Sequence, residues 1–168
     1  MQTKTYTYTE PYYTIEVKVE GGFCAFLVLF LGWHAYVNSF GVWPVFAIGS
    51  IVAAYQVWNT FIAGCYPHSI TVGDDRVSVE VFGKSKSYII DELADYSIRG
   101  GSGGKMYVRL GDHNALRGRY WIPTNVFGDG EELASRLLEI EERVAPDSLR
   151  VQARKSTAGL PKSNSKKR

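Results

Sequence analysis

The stretch that decides the fold of this chain is GGFCAFLVLFLGWHAYVNSFGVWPVFAIGSIVAAYQVWNTFIAGC, residues 21–65. The 53 residues from position 21 to position 73 contain no Asp, Glu, Lys or Arg, although 21% of the whole chain is charged. About 20 consecutive apolar residues are enough for one helix to span a bilayer. The stretch is long enough for two such passes, and it therefore predicts a membrane location.

Polar residues in the middle of this stretch set the bounds of the two passes. Asn38, Ser39 and Gly41 have the composition of a turn, so we expect a first pass over residues 22–37 and a second over residues 42–65. At 1.5 Å per residue the second pass is roughly 36 Å long, which exceeds a hydrocarbon core of about 30 Å. The sequence thus predicts a transmembrane helical hairpin within residues 21–66.

Basic residues near the ends of the hairpin predict its orientation. Lys18 precedes the first pass, Lys84 and Lys86 follow the second, and the turn between the passes has no charge. Because basic residues concentrate on the cytoplasmic side of membrane proteins, we expect two passes through the cytoplasmic membrane with both termini in the cytoplasm.

Small and polar residues on the second pass are candidates for helix packing. Gly49 and Ala53 form a small-xxx-small pair, which lets two helices approach closely, and Gln56 and Asn59 share one helical face. One interpretation is a face for a partner helix, including one from a second copy of the chain. The other is packing against the first pass of the same chain.

The remainder reads as a small α+β domain over residues 67–147. Six short segments are rich in β-branched and aromatic residues and are separated by turns, including 83–86 and 111–114. These predicted strands are residues 69–72, 76–82, 88–90, 96–99, 106–110 and 119–122. The spacing favours an antiparallel meander.

An amphipathic helix is predicted after the strands. Asp129 is placed as its N-cap with Glu132 at the third position, a capping-box arrangement. An apolar stripe follows, and we expect the acidic run 139–142 to form a solvated face. The members of the stripe are Leu133, Leu137, Ile140 and Val144.

The polar lead, residues 1–20, alternates at Tyr13, Ile15, Val17 and Val19. Alternation of this kind favours a strand that joins the edge of the sheet. The other interpretation is a frayed segment beside the membrane.

Several parts of the chain resemble the bacterial PH-like membrane proteins, particularly the YcxB-like group. The resemblance covers residues 5–145. It consists of the lead YTYTEPYYTIEV, the two-pass hairpin, Tyr120-Trp121-Ile122-Pro123 and the helix VFGDGEELASRLLEIEERV. It implies a PH-like antiparallel β-barrel capped by its C-terminal helix, anchored in the bacterial inner membrane, and it implies no catalytic signature.

Charge is distributed unevenly over the soluble parts. Residues 74–147 hold ten basic and fourteen acidic side chains, a net charge of −4, whereas residues 148–168 hold seven basic and no acidic ones. A nucleic-acid-binding domain usually has a basic face in its body, so we expect no nucleic-acid partner. The tail, 148–168, is expected to be disordered.

Basic residues in two places are candidates for contact with anionic lipid. Lys84 and Lys86 lie in a predicted hairpin loop beside the membrane, and the others lie in the tail. The tail candidates are Arg154, Lys155, Lys166, Lys167 and Arg168.

The sequence contains no pairing of nucleophile and base, and it predicts neither a cofactor nor a metal. We therefore expect a non-enzymatic, membrane-anchored PH-like domain that acts as a scaffold or recruitment module for a protein partner. The alternative is an accessory subunit of a transporter or other membrane complex, assembled through the hairpin.

Overall fold

The computed structural model of the chain describes residues 3–37, 41–100, 104–114 and 116–158. Within these residues the protein is α+β, with two antiparallel sheets and four α-helices. The α+β prediction is confirmed.

The two sheets contain four and three strands. The first has the order β1-β2-β3-β4, formed by Lys4–Thr7, Ser69–Val72, Arg76–Val81 and Lys84–Ile89. The second has the order β5-β6-β7, formed by Tyr96–Gly100, Lys105–Asn114 and Arg117–Pro123. All six predicted strands are present, and one strand precedes the apolar stretch.

That first strand, β1, precedes both helices in the chain and pairs with β2, which follows them. In the register of β1 with β2, Lys4 lies opposite Val72 and Thr7 lies opposite Ser69. The chain therefore leaves the sheet at β1, runs through the helices, and returns beside its starting point. The lead joins the edge of the sheet at Lys4–Thr7, which is not the segment from which a strand was predicted.

The alternating part of the lead is not a strand, however. Thr14–Val19 forms a π-helical turn that runs directly into α1, Glu20–Val37. Tyr13 and Val17 are buried whereas Ile15 and Val19 are exposed. A four-residue spacing places Tyr13 and Val17 on one helical face, which explains why alternation over so few residues was misleading.

The second helix, α2, Trp43–Val57, continues as a π-helical turn over Trp58–Ile62. This segment, Trp43–Ile62, is long and apolar enough to cross a membrane, and it is the one such helix among the described residues. It runs antiparallel to α1, because Ser50 near its middle donates to the Val28 carbonyl at 3.1 Å and Phe61 near its end lies against Gly21.

The helix after the sheets, α3, spans Gly130–Val144. Leu133, Leu137 and Ile140 are buried in the core between the sheets, as the apolar stripe predicts. The Tyr96 hydroxyl donates to the Leu137 carbonyl at 2.9 Å and ties the helix to β5. The core of the domain thus lies between the two sheets and this helix.

The capping-box prediction is correct only in placing Asp129 at the N-cap. The Asp129 side chain makes no capping hydrogen bond, and its backbone is left-handed with φ 53°. Glu132 instead accepts from the Tyr6 hydroxyl at 2.9 Å and pairs with Lys4, both on β1. A tertiary partner on β1 has replaced the local one.

Two predicted turns lie within strands. Phe82 and Gly83, at φ 48° and 74°, form a tight turn, so β4 begins at Lys84 and continues through Lys86. β6 extends through Asn114, with an irregular register after Arg109. Polar residues on edge strand β4, and the irregular, glycine-containing end of β6, gave these segments the composition of loops.

The predicted disordered tail begins with a helix. The fourth helix, α4, covers Leu149–Ala158, and its Val151 is fully buried. Arg154 on α4 pairs with Glu141, which is 1% exposed. Glu141 also accepts the Ile98 backbone N–H at 2.8 Å, so this part of the acidic run is a buried acceptor for edge strand β5 and not a solvated face.

Replacing Glu141 tests this buried link. We expect Glu141→Ala to lower the free energy of unfolding by about 1–3 kcal/mol, because the Ile98 N–H loses its acceptor. Urea denaturation in detergent micelles measures the change. Glu139→Ala, on the exposed face of the same helix, is the control and should change the value by less than about 0.5 kcal/mol. Equal effects would contradict the assignment.

A second test uses the contact between Glu132 and β1. Hydrogen bonds from Lys4 and Tyr6 hold the pKa of Glu132 below its usual 4.5. A carboxyl whose pKa is lower in the folded state contributes stability that is complete above pH 4.5 and is lost as the pH falls through the folded pKa. Glu132→Gln should remove this part of the acid sensitivity, seen as a smaller difference in urea midpoint between about pH 7 and about pH 3.

The exposed neighbour Glu131→Gln should leave the acid sensitivity as it is in the unmodified chain. If both substitutions reduced it equally, docking of β1 through Glu132 would not explain it.

Candidate membrane-junction site

The candidate site surrounds residues 58–66, at the end of the apolar segment that is long enough to cross a membrane, and we call these residues the helix foot. The Phe61 ring stacks on Phe82 of the β3–β4 turn, with 5.7 Å between centroids and 21° between planes. On its other side Phe61 lies so close to Gly21 that an added Cβ there would be 2.9 Å from the ring. The start of α1, the end of α2 and the β3–β4 turn therefore meet at one aromatic side chain.

Main-chain hydrogen bonds attach the helix foot to the second sheet. The Cys65 N–H donates to the Asn59 carbonyl at 2.9 Å, and the Trp121 N–H donates to the Cys65 carbonyl at 2.7 Å. Both Asn59 and Cys65 are buried. The apolar segment is thus bonded to the edge of β7 directly after its last helical turn.

A basic cavity of about 200 Å³ opens beside Phe61. Lys84 lies opposite Val81 and Lys86 lies opposite Val79 in the register of β3 with β4. Opposite residues in an antiparallel pair share a face, so both lysines lie on the face that carries the core valines. Their ammonium groups and the apolar wall suit an anionic group attached to a hydrocarbon. The cavity is lined by Phe61, Ile62, Ala63, Gly64, Val79, Val81, Phe82, Lys84, Lys86, Leu116 and Tyr120.

A second, polar cavity of about 480 Å³ lies between the helices and β6–β7. The Tyr8 hydroxyl donates to Glu16 at 2.6 Å, and the Gln56 amide donates to the Tyr66 hydroxyl at 3.3 Å. Burial raises the pKa of Tyr66, and burial together with the bond to Glu16 raises that of Tyr8. Both phenols therefore stay protonated at neutral pH. Glu20, Lys105 and Trp121 complete the wall.

The four predicted helix-packing residues all make contacts inside the chain. A Cβ added at Gly49 would lie 3.0 Å from Leu31 on α1, and Ala53 is 5% exposed. Gln56 bonds Tyr66, and Asn59 is buried at the helix foot. These contacts agree with the second interpretation, in which the residues pack against the same chain.

The predicted lipid contacts of the tail are only partly described. Arg154 pairs with buried Glu141, and Lys155 lies 3.7 Å from Glu142. Arg154 thus fastens α4 to α3. Lys166, Lys167 and Arg168 lie outside the described residues.

A row of basic and aromatic residues, not identified from the sequence, covers the outer side of the second sheet. Residues 96, 98, 106, 108, 110, 120 and 122 are buried, whereas the alternate positions face outward. The outward positions with regular register form what we call the basic face, and exposed Asp112 and Arg117 lie beyond the irregularity after Arg109 and outside this set. Its members are Ser97, Arg99, Lys105, Tyr107, Arg109, Arg119 and Trp121.

The signal for the basic face was present in the sequence. Residues 105–109 read KMYVR and residues 119–121 read RYW, each with outward residues at every second position. It was missed because the net charge of −4 was averaged over the whole domain. The expectation that the body of the domain lacks a basic face is therefore wrong.

Comparison of the chain with protein-family models, with curated proteins and with solved structures finds no match. Among the described residues, no group of three or more His, Cys, Asp or Glu side chains is arranged to hold a metal ion. Functional inference therefore depends on the geometry of the junction and of the basic face.

A double-mutant cycle at Phe61 and Phe82 tests whether the helix foot and the β3–β4 turn are joined. We expect a coupling energy of about 0.5–1.5 kcal/mol between Phe61→Ala and Phe82→Ala, because the two rings stack. Chemical denaturation in detergent measures each variant. The pair Phe26→Ala and Phe82→Ala is the control, since Phe26 stacks on Phe30 instead, and it should be additive within about 0.5 kcal/mol. Additivity in the first pair would mean that the Phe61 and Phe82 rings do not couple the helix foot to the β3–β4 turn.

Proposed function

We propose that this chain is a non-enzymatic integral membrane protein in which two helices hold a PH-like domain at the cytoplasmic face, where it scaffolds or recruits a partner. The observation that supports this most directly is the insertion of the helical pair between β1 and β2, with the helix foot bonded to β7. A domain fixed in this way presents the same surfaces to the membrane and to the cytoplasm at all times.

Exposed apolar side chains support membrane insertion of both helices. An exposed apolar surface of this extent is rare in a soluble monomer, and a bilayer would cover it. On α1 the large exposed residues are Phe23, Phe26, Leu29, Phe30, Trp33, Tyr36 and Val37. On α2 they are Trp43, Val45, Ile48, Ile51, Val52 and Tyr55.

The arrangement of the sheets supports the PH-like interpretation. Sheets of four and three antiparallel strands enclose one core, and a C-terminal helix contributes Leu133 and Leu137 to it. This is the architecture that the resemblance to the bacterial PH-like membrane proteins implies. In this chain the membrane helices follow the first strand.

The positions of the cations support a cytoplasmic location of both termini. The helices are antiparallel, so the two ends that meet the domain lie on one side. Lys18, Lys84, Lys86 and Lys105 lie on that side, and residues 38–42 at the other end have no charge. Cations beside the cytoplasmic leaflet match the usual bias, and Lys84 and Lys86 are placed to contact its anionic lipids.

The alternative, an accessory subunit assembled through the hairpin, has less support. Its strongest sequence feature was the pair Gly49 and Ala53, and α1 of the same chain already covers Gly49. Assembly would have to use the outward aromatic and branched side chains of the helices.

Topology is the first prediction of this proposal. In a cysteine-free background, Glu10→Cys and Asp147→Cys should react with a membrane-impermeant thiol reagent only from the cytoplasmic side. Val42→Cys should react only from the other side. Reaction of all three from the same side of sealed vesicles would overturn the two-pass topology.

The recruitment role is tested by crosslinking in native membranes with mass spectrometry. A photoreactive residue replaces Glu139 on the exposed face of α3, or Ile48 on the outer surface of α2. Crosslinks from position 139 to one defined partner support recruitment by the domain. Crosslinks to a protein from position 48 alone favour the accessory subunit, and turnover of a lipid or nucleotide by the purified chain would exclude a non-enzymatic role.

A further inference from the structure

The basic face differs from the rest of the domain in its charge. Arg99, Lys105, Arg109 and Arg119 give it four cations, and none of its seven members is acidic. The domain as a whole has four more acids than bases. Cations collected on one face of an acidic domain indicate a polyanionic partner for that face.

Aromatic side chains lie among the cations. The ring centroids of Tyr107 and Trp121 are 4.5 Å apart. The Arg109 guanidinium lies 5.3 Å from the centroid of the Tyr107 ring. Arg109 Nε is buried and has no hydrogen-bond partner. Trp121 is 42% exposed. The face therefore has guanidinium groups to bind acceptors and an amphipathic ring of the type enriched at membrane–water interfaces.

One end of the basic face lies at the level of the membrane surface. Trp121 bonds to Cys65, which is three residues beyond the last residue of the crossing segment, Ile62. Three residues span at most about 10 Å, so Trp121 lies close to the end of that segment. Lys105 and Trp121 also share the polar cavity with Glu20 and Gln56 of the two helices. Headgroups extend about 5–7 Å beyond the hydrocarbon core on each side. Trp121, at most about 10 Å from the end of the crossing segment, therefore lies at the level of the headgroups.

We propose that the basic face binds the phosphate groups of anionic phospholipids in the leaflet from which the helices emerge. The inference depends on the membrane insertion proposed above and names the ligand of one surface of the anchored domain. Lys105 and Arg99 contact phosphates at the edge of the leaflet, Trp121 enters the headgroup layer, and Arg109 and Arg119 add long-range attraction. Contact at this face, in addition to the cavity at Lys84 and Lys86, fixes the domain on two sides of the helix foot.

The ring geometry favours lipid over a single-stranded nucleic acid. Nucleic-acid platforms on sheets need aromatic faces that are open to stacking by bases. Here Tyr107 is covered by Arg109 and Trp121, and only Trp121 is substantially exposed. The continuity with the helix foot also places the leaflet, and no other polyanion, beside the face at all times.

The test uses the full chain in nanodiscs and the fluorescence of Trp121. Brominated phosphatidylglycerol or brominated phosphatidylcholine quenches tryptophans that it contacts. The difference between the unmodified chain and Trp121→Phe isolates Trp121, because Trp33, Trp43 and Trp58 contribute to both. We expect Trp121 to be quenched more strongly by the anionic lipid at equal content, and this preference should weaken with salt.

Two double variants with the same charge change decide whether the face is responsible. Arg99→Gln with Lys105→Gln should lower the apparent affinity for phosphatidylglycerol by roughly 5-fold for each cation removed. Arg76→Gln with Arg143→Gln removes two exposed cations outside the face and should leave the affinity unchanged. Circular dichroism of each variant confirms that it is folded.

Three outcomes would overturn the inference: equal quenching by both lipids, equal effects of the two double variants, or protection of Trp121 by single-stranded RNA and not by lipid. Carbonate extraction keeps this separate from the proposed function. A chain released by carbonate contradicts membrane insertion, whereas an inserted chain without lipid preference contradicts only the role of the basic face.

Discussion

The pairing of β1 with β2 is the constraint on which the rest of the structure depends. Thr7 and Ser69 lie opposite each other, although the whole helical pair lies between them in the chain. Both ends of the apolar stretch must therefore return to one place on one sheet. This places both helix ends at the domain, where Phe61 stacks on the β3–β4 turn and the Cys65 carbonyl accepts a hydrogen bond from β7.

Because the domain is fixed at the helix foot, its surfaces have fixed roles relative to the membrane. The cavity with Lys84 and Lys86 lies on one side of the foot, and the cavity that leads to the basic face lies on the other. α3 and α4 close the core through Leu137 and Glu141. Lys84, Lys86 and Lys105 thus line the two cavities beside the helix ends, the second of which also contains Glu16 and Glu20.

Local periodicity was sufficient to predict much of this fold. The uncharged stretch, the six strands after it and the stripe of Leu133, Leu137 and Ile140 are each visible within a window of a few residues. The bounds of β4 and β6 were less predictable, since polar residues on edge strand β4 and the irregular end of β6 after Arg109 both resemble a turn. The lead was misread because Tyr13 and Val17 satisfy both a strand and a helix pattern.

Features that depend on distant partners could not be predicted from the sequence. Glu141 is buried because Ile98 and Arg154 come to it from a strand and from a later helix. Glu132 binds Tyr6 and leaves the helix start uncapped by a side chain. Lys84 and Lys86 stay candidate lipid contacts, and their place on the face of the core valines, on an edge strand, depends on the register with β3.

The same pairing also orders the events of synthesis. β1 is made first and has no partner until β2 follows, 62 residues after Thr7, which takes several seconds at about 5–20 residues per second. In the proposed topology, both helices enter the membrane during that interval. A chain in which only one helix crossed would leave β1 and β2 on opposite sides of the bilayer, and the sheet could not close. In that topology, the four residue pairs between β1 and β2 can form only when both helices have crossed the bilayer, so closure of the first sheet depends on correct insertion.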